Sequence, residues 1–162
     1  MRIAITGAAG LFGHGLVAAF STRHEVFPLT RAEADITDAD AIRALLERVR
    51  PDLVVHPAGI PDLDRCEADP ANAFLVNYQG TRNVADASRH VGAGLVHIST
   101  DAVFDGRNST PYVETDPTAP ITTKKDPGLW AQVQADLGTL SAMSTNPEPE
   151  PYPTYDNGDM KQ

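Results

Sequence analysis

Short apolar runs alternate with amphipathic stretches along residues 1–121. The apolar runs, rich in Val, Ile and Leu as buried parallel strands are, lie at 2–6, 25–29, 52–56 and 94–99. Between them, apolar residues recur at helical spacing, which predicts helices at 11–20, 39–50 and 70–90. This alternation predicts an α/β fold, a Rossmann-type doubly wound parallel sheet that is truncated to about four main strands.

Local signals bear on these elements. Thr37 or Asp38 can cap the second helix, and Pro51 ends it. Pro28 weakens the second strand, because proline cannot donate a hydrogen bond to a neighbouring strand. The strand Gly94–Ser99 is predicted to leave an uncovered apolar edge. We expect the tail helix, a partner protein or a second copy of the chain in a homodimer to cover it.

The pattern changes after residue 121. All ten basic residues up to that point are arginine, whereas the three beyond it are lysine. Four prolines fall within 147–153. The sequence therefore predicts an incomplete α/β domain over 1–121 and a divergent tail over 122–162, with a helix at 129–141 and disorder at 146–162.

The composition excludes several classes of function. The chain has 13 Lys and Arg against 22 Asp and Glu, a formal net charge of −9. Such a protein is poorly suited to nucleic acid or to an anionic membrane surface. Cys66 is the only cysteine, so an intrachain disulfide and a cysteine-based zinc site are excluded, and no metal site is predicted. With no apolar span of about 20 residues, we expect a soluble cytoplasmic protein.

A glycine-rich turn follows the first strand directly. Gly7, Gly10 and Gly13 form G-x-x-G-x-x-G between a strand and a helix. Glycine lets the backbone approach a pyrophosphate, and the helix N-terminus offers free N–H groups and a positive dipole. The pattern therefore predicts a dinucleotide site. The alternative is a glycine-rich packing turn without a ligand.

The residues after the second strand bear on the choice of dinucleotide. An acid at this place favours NAD, and an arginine can accept the 2′-phosphate of NADP. This chain has Arg31 there and no acid until Glu33. NADP is therefore favoured and NAD stays open, while the alternative for Arg31 is an ordinary solvated side chain.

Further strings in the sequence carry a family resemblance. They are Gly7–Gly13, Asp35-Ile36, His56-Pro-Ala-Gly59, Asn77-Tyr-Gln-Gly-Thr-Arg-Asn83 and Ile98-Ser-Thr-Asp-Ala-Val-Phe-Asp-Gly106. Residues 1–121 resemble extended short-chain dehydrogenase/reductases. The branch they resemble most is that of dTDP-4-dehydrorhamnose reductase, which includes the related regulatory subunit of methionine adenosyltransferase.

The resemblance implies roles for individual residues. Gly10, Leu11 and Phe12 would line the cofactor pyrophosphate, and Asp35 and Ile36 would lie by the adenine. A second group would form the turn under the central part of the cofactor: Ala58, Gly59 and Ile60. The catalytic hydroxyl would be that of Thr100, and the substrate contacts would be Ala102 and Val103.

The sequence also departs from the family. Its turn begins with His56-Pro57 instead of asparagine, and Ala102 stands where the family has tyrosine. Family members use a Tyr-x-x-x-Lys pair to move a proton to the substrate carbonyl while NADPH delivers hydride. The four tyrosines here (78, 112, 152 and 155) have Arg82 or an aspartate four residues on, never lysine.

Three hypotheses about function follow. The first is a truncated NADPH-dependent reductase of a 4-keto nucleotide sugar, inactive alone because the acid–base pair and the substrate domain are missing. The second is a non-catalytic NAD(P)-binding or regulatory module. The third is a frameshifted gene product.

Other chemically suggestive residues have plainer interpretations. We interpret His56, at a strand end, as structural. Acids near Cys66 should raise its pKa, which argues against an activated nucleophile. We interpret the acidic run formed by Asp62, Asp64, Glu67 and Asp69 as solvated surface.

Overall fold

The computed structural model describes residues 1–113 and 115–119. The predicted tail over 122–162, with its helix at 129–141 and its disordered end at 146–162, lies outside the described residues. Within the described part, no helix is both long enough and apolar enough to cross a membrane.

In the described part of the chain, four parallel strands form one sheet. They are β1 (Arg2–Thr6), β2 (Glu25–Leu29), β3 (Leu53–His56) and β4 (Gly94–His97). Their order across the sheet is β2-β1-β3-β4, and every neighbouring pair is parallel. The predicted Rossmann-type α/β class is confirmed. Pro28 is compatible with β2 because β2 lies at the edge of the sheet, where one side needs no partner.

Helices connect the strands. They are α1 (Leu11–Phe20), α2 (Ala39–Val49), α3 (Leu63–Ala68), α4 (Pro70–Ala73), a π-helical turn (Phe74–Gly80) and α5 (Thr81–Val91), followed by a 3₁₀ turn (Asp101–Val103). The helix predicted at 70–90 is therefore interrupted by a π-helical turn. Helix α3 was not predicted because it is only six residues long and lies in the acidic run, where Asp62 caps it by accepting from Arg65 N–H.

The sheet carries an apolar layer on each face, because successive side chains of a strand point to opposite sides. On one face, Leu16, Val17 and Phe20 of α1 pack against Ile3, Ile5 and Val55. On the other face, α2 and α5 cover a larger buried cluster that includes Ala4, Val54, Leu46 and Val84. Helices on both faces make the sheet doubly wound, as the alternation predicted.

Both ends of α2 are fixed by side chains or by backbone conformation. The Asp38 carboxylate accepts from the backbone N–H groups of Asp40 and Ala41, which satisfies orphan donors of the first turn. At the other end Arg50 adopts a left-handed conformation, φ 47°, before Pro51. The Arg2 guanidinium donates to the Val49 carbonyl at 2.6 Å, so the cation lies where the helix dipole is negative.

Strand β4 forms the far edge of the sheet in the described part of the chain. Its Val96 pairs with Val55 and therefore shares the α1 face. Helix α1 packs over β1 and β2, and Val96 and Ile98 stay 44% and 39% exposed. The predicted apolar edge is present within the described residues.

Candidate functional site

The carboxyl ends of all four strands meet at one edge of the sheet. The chain leaves β1 for β2 on one side and returns to β3 on the other. Ligands of open α/β sheets bind in the crevice where the strand order reverses in this way. The loops that follow β1 and β3 therefore define the candidate site.

The loop after β1 is a tight turn that only glycine accommodates. Gly7 has φ +60°, and a Cβ there would lie 2.9 Å from the Ala58 Cα. At Gly13 a Cβ would lie 2.2 Å from the Gly7 carbonyl oxygen, so any side chain would push helix and strand apart. The Gly10 N–H donates to the Gly7 carbonyl at 2.9 Å and closes the turn.

Helix α1 begins at this turn with an uncapped N-terminus. Gly10 is the N-cap residue and supplies no side-chain hydrogen bond. The first N–H groups of a helix have no intrahelical partner, and they lie at the positive end of its dipole. Leu11 is 97% exposed and Phe12 55% exposed beside them. The turn therefore presents free donors with apolar side chains at the rim, an arrangement that fits a pyrophosphate.

The loop after β2 holds an exposed ion pair. Arg31 Nε donates to Asp35 Oδ2 at 2.8 Å, and the Arg31 side chain stays 83% exposed. The other Asp35 oxygen accepts from the Thr37 N–H and hydroxyl. These two bonds, and then the Arg31 guanidinium, hold the pKa of Asp35 below its usual value. Both predicted residues thus lie side by side at the surface.

Ile36 follows Asp35 and anchors this loop. Its side chain packs toward Gly80, where a Cβ would lie 2.8 Å from the Ile36 Cδ1. Its carbonyl accepts from Asn83 Nδ2 at 2.9 Å. The loop is therefore fixed to α5 from one side, which leaves Arg31 at its outer surface.

The loop after β3 is held by one side-chain amide. Asn77 Oδ1 accepts from the Ile60 N–H at 2.7 Å, and Asn77 Nδ2 donates to the Ile60 carbonyl at 3.1 Å. The Cys66 thiol lies 3.5 Å from the same carbonyl. Burial, and then the Asp62 carboxylate, raise the pKa of Cys66. The direction agrees with the sequence interpretation, although burial is the larger cause.

His56, the last residue of β3, is fully buried. Its Nδ1 lies 2.6 Å from Thr6 Oγ1 and its Nε2 lies 3.0 Å from Thr81 Oγ1. The Thr81 hydroxyl donates its proton to the Asn77 carbonyl at 2.7 Å, so it can only accept from His56. His56 is therefore the neutral Nε2–H tautomer, and Thr6 donates to its Nδ1.

The electrostatics of His56 support this assignment. Burial, and then the neighbouring His97 ring, lower the pKa of His56 to about 3. The imidazole therefore stays neutral across the physiological range. Since its two side-chain hydrogen bonds join β1 and α5 to β3, the interpretation of His56 as structural agrees with the geometry.

The residues after β4 form a short turn at the same edge. The Thr100 hydroxyl donates to Asp101 at 3.2 Å and accepts from the Ala102 N–H at 3.2 Å. Ala102 and Val103 are half-buried in the 3₁₀ turn that follows. A compact loop then begins, in which Phe104 stacks on Tyr112 at 4.3 Å. Thr100 is thus exposed at the site edge, where its hydroxyl bonds to Asp101 and Ala102 and its carbonyl accepts from the Val103 N–H.

The topology therefore brings each predicted position to one edge of the sheet, in four neighbouring loops. The side chains of Asn77, Thr81 and Asn83 were not singled out as functional, yet they hold two of those loops. They lie within the string 77–83, so its run of polar side chains was the available signal. The sequence could not identify the loop residues that Asn77 and Asn83 contact, because these lie 17 and 47 residues away.

The chain is similar in sequence to a family of nucleotide-sugar reductases. A family model described as the RmlD substrate binding domain matches residues 1–126. The chain is 41% identical over 121 residues to the dTDP-4-dehydrorhamnose reductase of Burkholderia thailandensis, covering 75% of this chain and 41% of that protein. It is 43% identical over 132 residues to a probable dTDP-4,6-dihydroxy-2-methyloxan-3-one 4-ketoreductase of Streptomyces antibioticus, covering 78% and 45%.

Solved structures agree in fold. The dTDP-4-dehydrorhamnose reductase of Bacillus anthracis, in complex with NADP, superposes with a TM-score of 0.75 at 31% identity, covering 87% of this chain and 49% of that chain. A UDP-glucose 4-epimerase of Thermus thermophilus, complexed with NAD, gives 0.74 at 25% identity, covering 88% and 51%. The family resemblance drawn from the motifs is confirmed, and the chain spans less than half the length of these curated relatives.

Proposed function

Because the chain belongs to the RmlD substrate binding domain family, we propose that it is the NADPH-binding part of a nucleotide-sugar reductase. The observation that carries this proposal is the glycine turn, closed by Gly10, with the uncapped N-terminus of α1 above it. Gly7 of this turn packs against Ala58 of the loop after β3, and the turn therefore borders the crevice between β1 and β3. Bound NADPH would supply hydride for reduction of a sugar carbonyl.

The proposed roles of the chain's residues follow from their places at this edge. Gly10, Leu11 and Phe12 line the pyrophosphate, which the backbone N–H groups of Leu11 and Phe12 receive, because the Gly10 N–H already donates to the Gly7 carbonyl. Arg31 takes the 2′-phosphate of NADP, since its ion pair with Asp35 uses Nε and leaves the side chain 83% exposed. The adenine lies by Asp35 and Ile36. The loop residues Ala58, Gly59 and Ile60 support the middle of the cofactor, and Thr100, Ala102 and Val103 face the substrate.

The proposal is tested by titrating NADPH fluorescence with the full chain. Gly10→Asp places a carboxylate at the pyrophosphate position, and like charges a few ångströms apart repel by about 1–4 kcal/mol. We expect the Kd for NADPH to rise roughly tenfold or more. Gly15→Asp is the matched control, because Gly15 is exposed and a Cβ there meets nothing within 4 Å. Equal effects of the two variants would reject the site.

A second candidate function is a non-catalytic dinucleotide-binding module. It is favoured by the tyrosines: in the sequence none has lysine four residues later, and Tyr78 and Tyr112 have Arg82 and Asp116 instead. Arginine is a poor substitute in such a pair because it differs in shape and stays charged. Mixing the chain with NADPH and a 4-keto nucleotide sugar separates the two functions. Binding without loss of reduced-nicotinamide absorbance supports the module, whereas turnover supports the reductase.

A further inference from the structure

The loop after β3 is held by contacts that no part of the proposed site explains. Asn77 contacts both backbone polar groups of Ile60, although Asn77 itself is exposed. An exposed side chain that immobilises a neighbouring loop must itself be held in place. The Asn77 backbone is held from below, because its main-chain carbonyl accepts the Thr81 hydroxyl proton at the end of a series of hydrogen bonds.

Those bonds form one continuous chain with a single proton arrangement. Thr6 donates to His56 Nδ1, His56 Nε2–H donates to Thr81, and the Thr81 hydroxyl donates to the Asn77 carbonyl. We call this chain the Thr6–Asn77 relay. Each hydroxyl in it has one proton and one partner for it, so neither threonine side chain nor the His56 ring can turn without leaving a buried polar group unsatisfied.

The relay starts and ends at the two halves of the candidate site. Thr6 directly precedes Gly7, the first residue of the glycine turn. Asn77 holds Ile60, which lies in the loop between β3 and α3. Asn77 lies inside the π-helical turn Phe74–Gly80, and Thr81 follows that turn directly. Such turns in helices occur frequently at functional sites.

We propose that Thr81 is a positioning residue, which through the Thr6–Asn77 relay fixes the 58–60 loop against the glycine turn so that the part of NADPH beyond its adenosine half is bound. This inference rests on the proposed function and assigns its central contacts. Thr81 touches no part of the proposed ligand; it acts through Asn77 and Ile60.

The test compares Thr81→Val with Thr81→Ser in the full chain. Valine keeps the shape but removes the hydroxyl, whereas serine keeps it. For Thr81→Val we expect the amide hydrogen of Ile60 to exchange roughly fivefold faster, because a change of this size corresponds to the loss of about one net hydrogen bond. We also expect a roughly fivefold higher Kd for NADPH and an unchanged Kd for adenosine 2′,5′-bisphosphate, which lacks the part that the loop supports. Thr81→Ser should restore both values to within about twofold.

A second pair of variants addresses the exposed end of the relay, where unfolding is not at issue. Asn77→Ala should reproduce the Thr81→Val pattern, while Arg82→Ala, exposed on the same helix, should match the unsubstituted protein. Ile60 exchange that is unchanged in both Thr81→Val and Asn77→Ala overturns the relay. So does equal weakening of NADPH and adenosine 2′,5′-bisphosphate, which a merely structural role would produce.

The outcomes also separate this inference from the proposed function. If the unsubstituted chain binds neither NADPH nor adenosine 2′,5′-bisphosphate, the proposed function fails and the ligand role of Thr81 fails with it. If the unsubstituted chain binds both, and Thr81→Val changes neither Kd, only the positioning role is overturned.

Discussion

The buried histidine at the end of β3 must be neutral in the folded protein. His56 accepts from Thr6 and donates to Thr81, an arrangement that requires the neutral ring. A second proton on Nδ1 would face the Thr6 hydroxyl and would have no solvent to stabilise its charge. Folding therefore excludes the protonated form, and burial accordingly lowers the pKa of His56 to about 3.

Protonation of the unfolded chain should make stability depend on pH. The pKa of His56 falls from 6.5 unfolded to about 3 folded, so between these values the unfolded state binds more protons. The contribution of His56 to the free energy of unfolding is therefore fully present above pH 6.5 and decreases as the pH is lowered toward 3. From pH 7 to pH 5 we expect a loss of about 1–2 kcal/mol from His56, measured by urea denaturation.

His56→Gln is the control for that titration. Its pH profile should be flatter between pH 7 and pH 5, with a remaining slope from His97, whose pKa burial also lowers. Asp35 has a lowered pKa as well, but its contribution is lost only below its ordinary 3.8. An identical slope in the variant and the unsubstituted protein would contradict the assignment of a neutral buried His56.

At the scale of elements, the contact between β1 and α1 depends on a missing side chain. A Cβ on Gly13 would lie 2.2 Å from the Gly7 carbonyl oxygen, and Gly15, two residues on, has open space around it. The same helix thus carries one glycine that the packing demands and one that it does not. The two positions make a matched pair for substitution.

We expect Gly13→Ala to lower the free energy of unfolding by about 1–3 kcal/mol, because the helix must move away from the turn. Gly15→Ala should raise it by about 0.5–1 kcal/mol, since alanine favours helix and loses less backbone entropy. Urea denaturation measures both. If the two substitutions had the same sign, the close approach at Gly13 would be wrong.

Prediction from sequence succeeded where the signal was local. The runs at 2–6 and 25–29 are β1 and β2 with the same bounds. Asp38 caps α2 as predicted, and α2 ends just before Pro51, with Arg50 as its C-cap residue. The π-helical turn Phe74–Gly80 could not be predicted, because its extra residue per turn leaves the apolar pattern nearly helical. The Asn77–Ile60 clamp joins residues 17 positions apart, and periodicity carries no information about such partners.

At the scale of the whole molecule, the two faces of the sheet are unequally covered. Two helices cover the face toward α2 and α5, whereas α1 packs over β1 and β2 on the other. Val96 and Ile98 therefore remain partly exposed beside β4. An apolar sheet surface next to an edge strand is prone to bind other apolar surfaces.

A dye that fluoresces at apolar surfaces should report this region. Val96→Asp introduces a negative charge there, which both raises the polarity of the surface and repels the dye's sulfonate, so we expect lower anilinonaphthalene sulfonate fluorescence than for the unsubstituted chain. Val113→Asp, at a residue that is 50% exposed, is the control and should change the signal less. Equal fluorescence of the unsubstituted chain and Val96→Asp would mean that this face is not accessible in solution.

The strand order also sets the sequence of events during synthesis. Of the four strands, β1 is the first to leave the ribosome, and it becomes an inner strand of the sheet. Both edges of β1 are paired only after β2 and then β3 have emerged. Strand β4 joins last and at the outside. The sheet thus grows outward from its oldest strand. Once β2 has paired it keeps one edge of the sheet, while the other edge passes from β1 to β3 and then to β4.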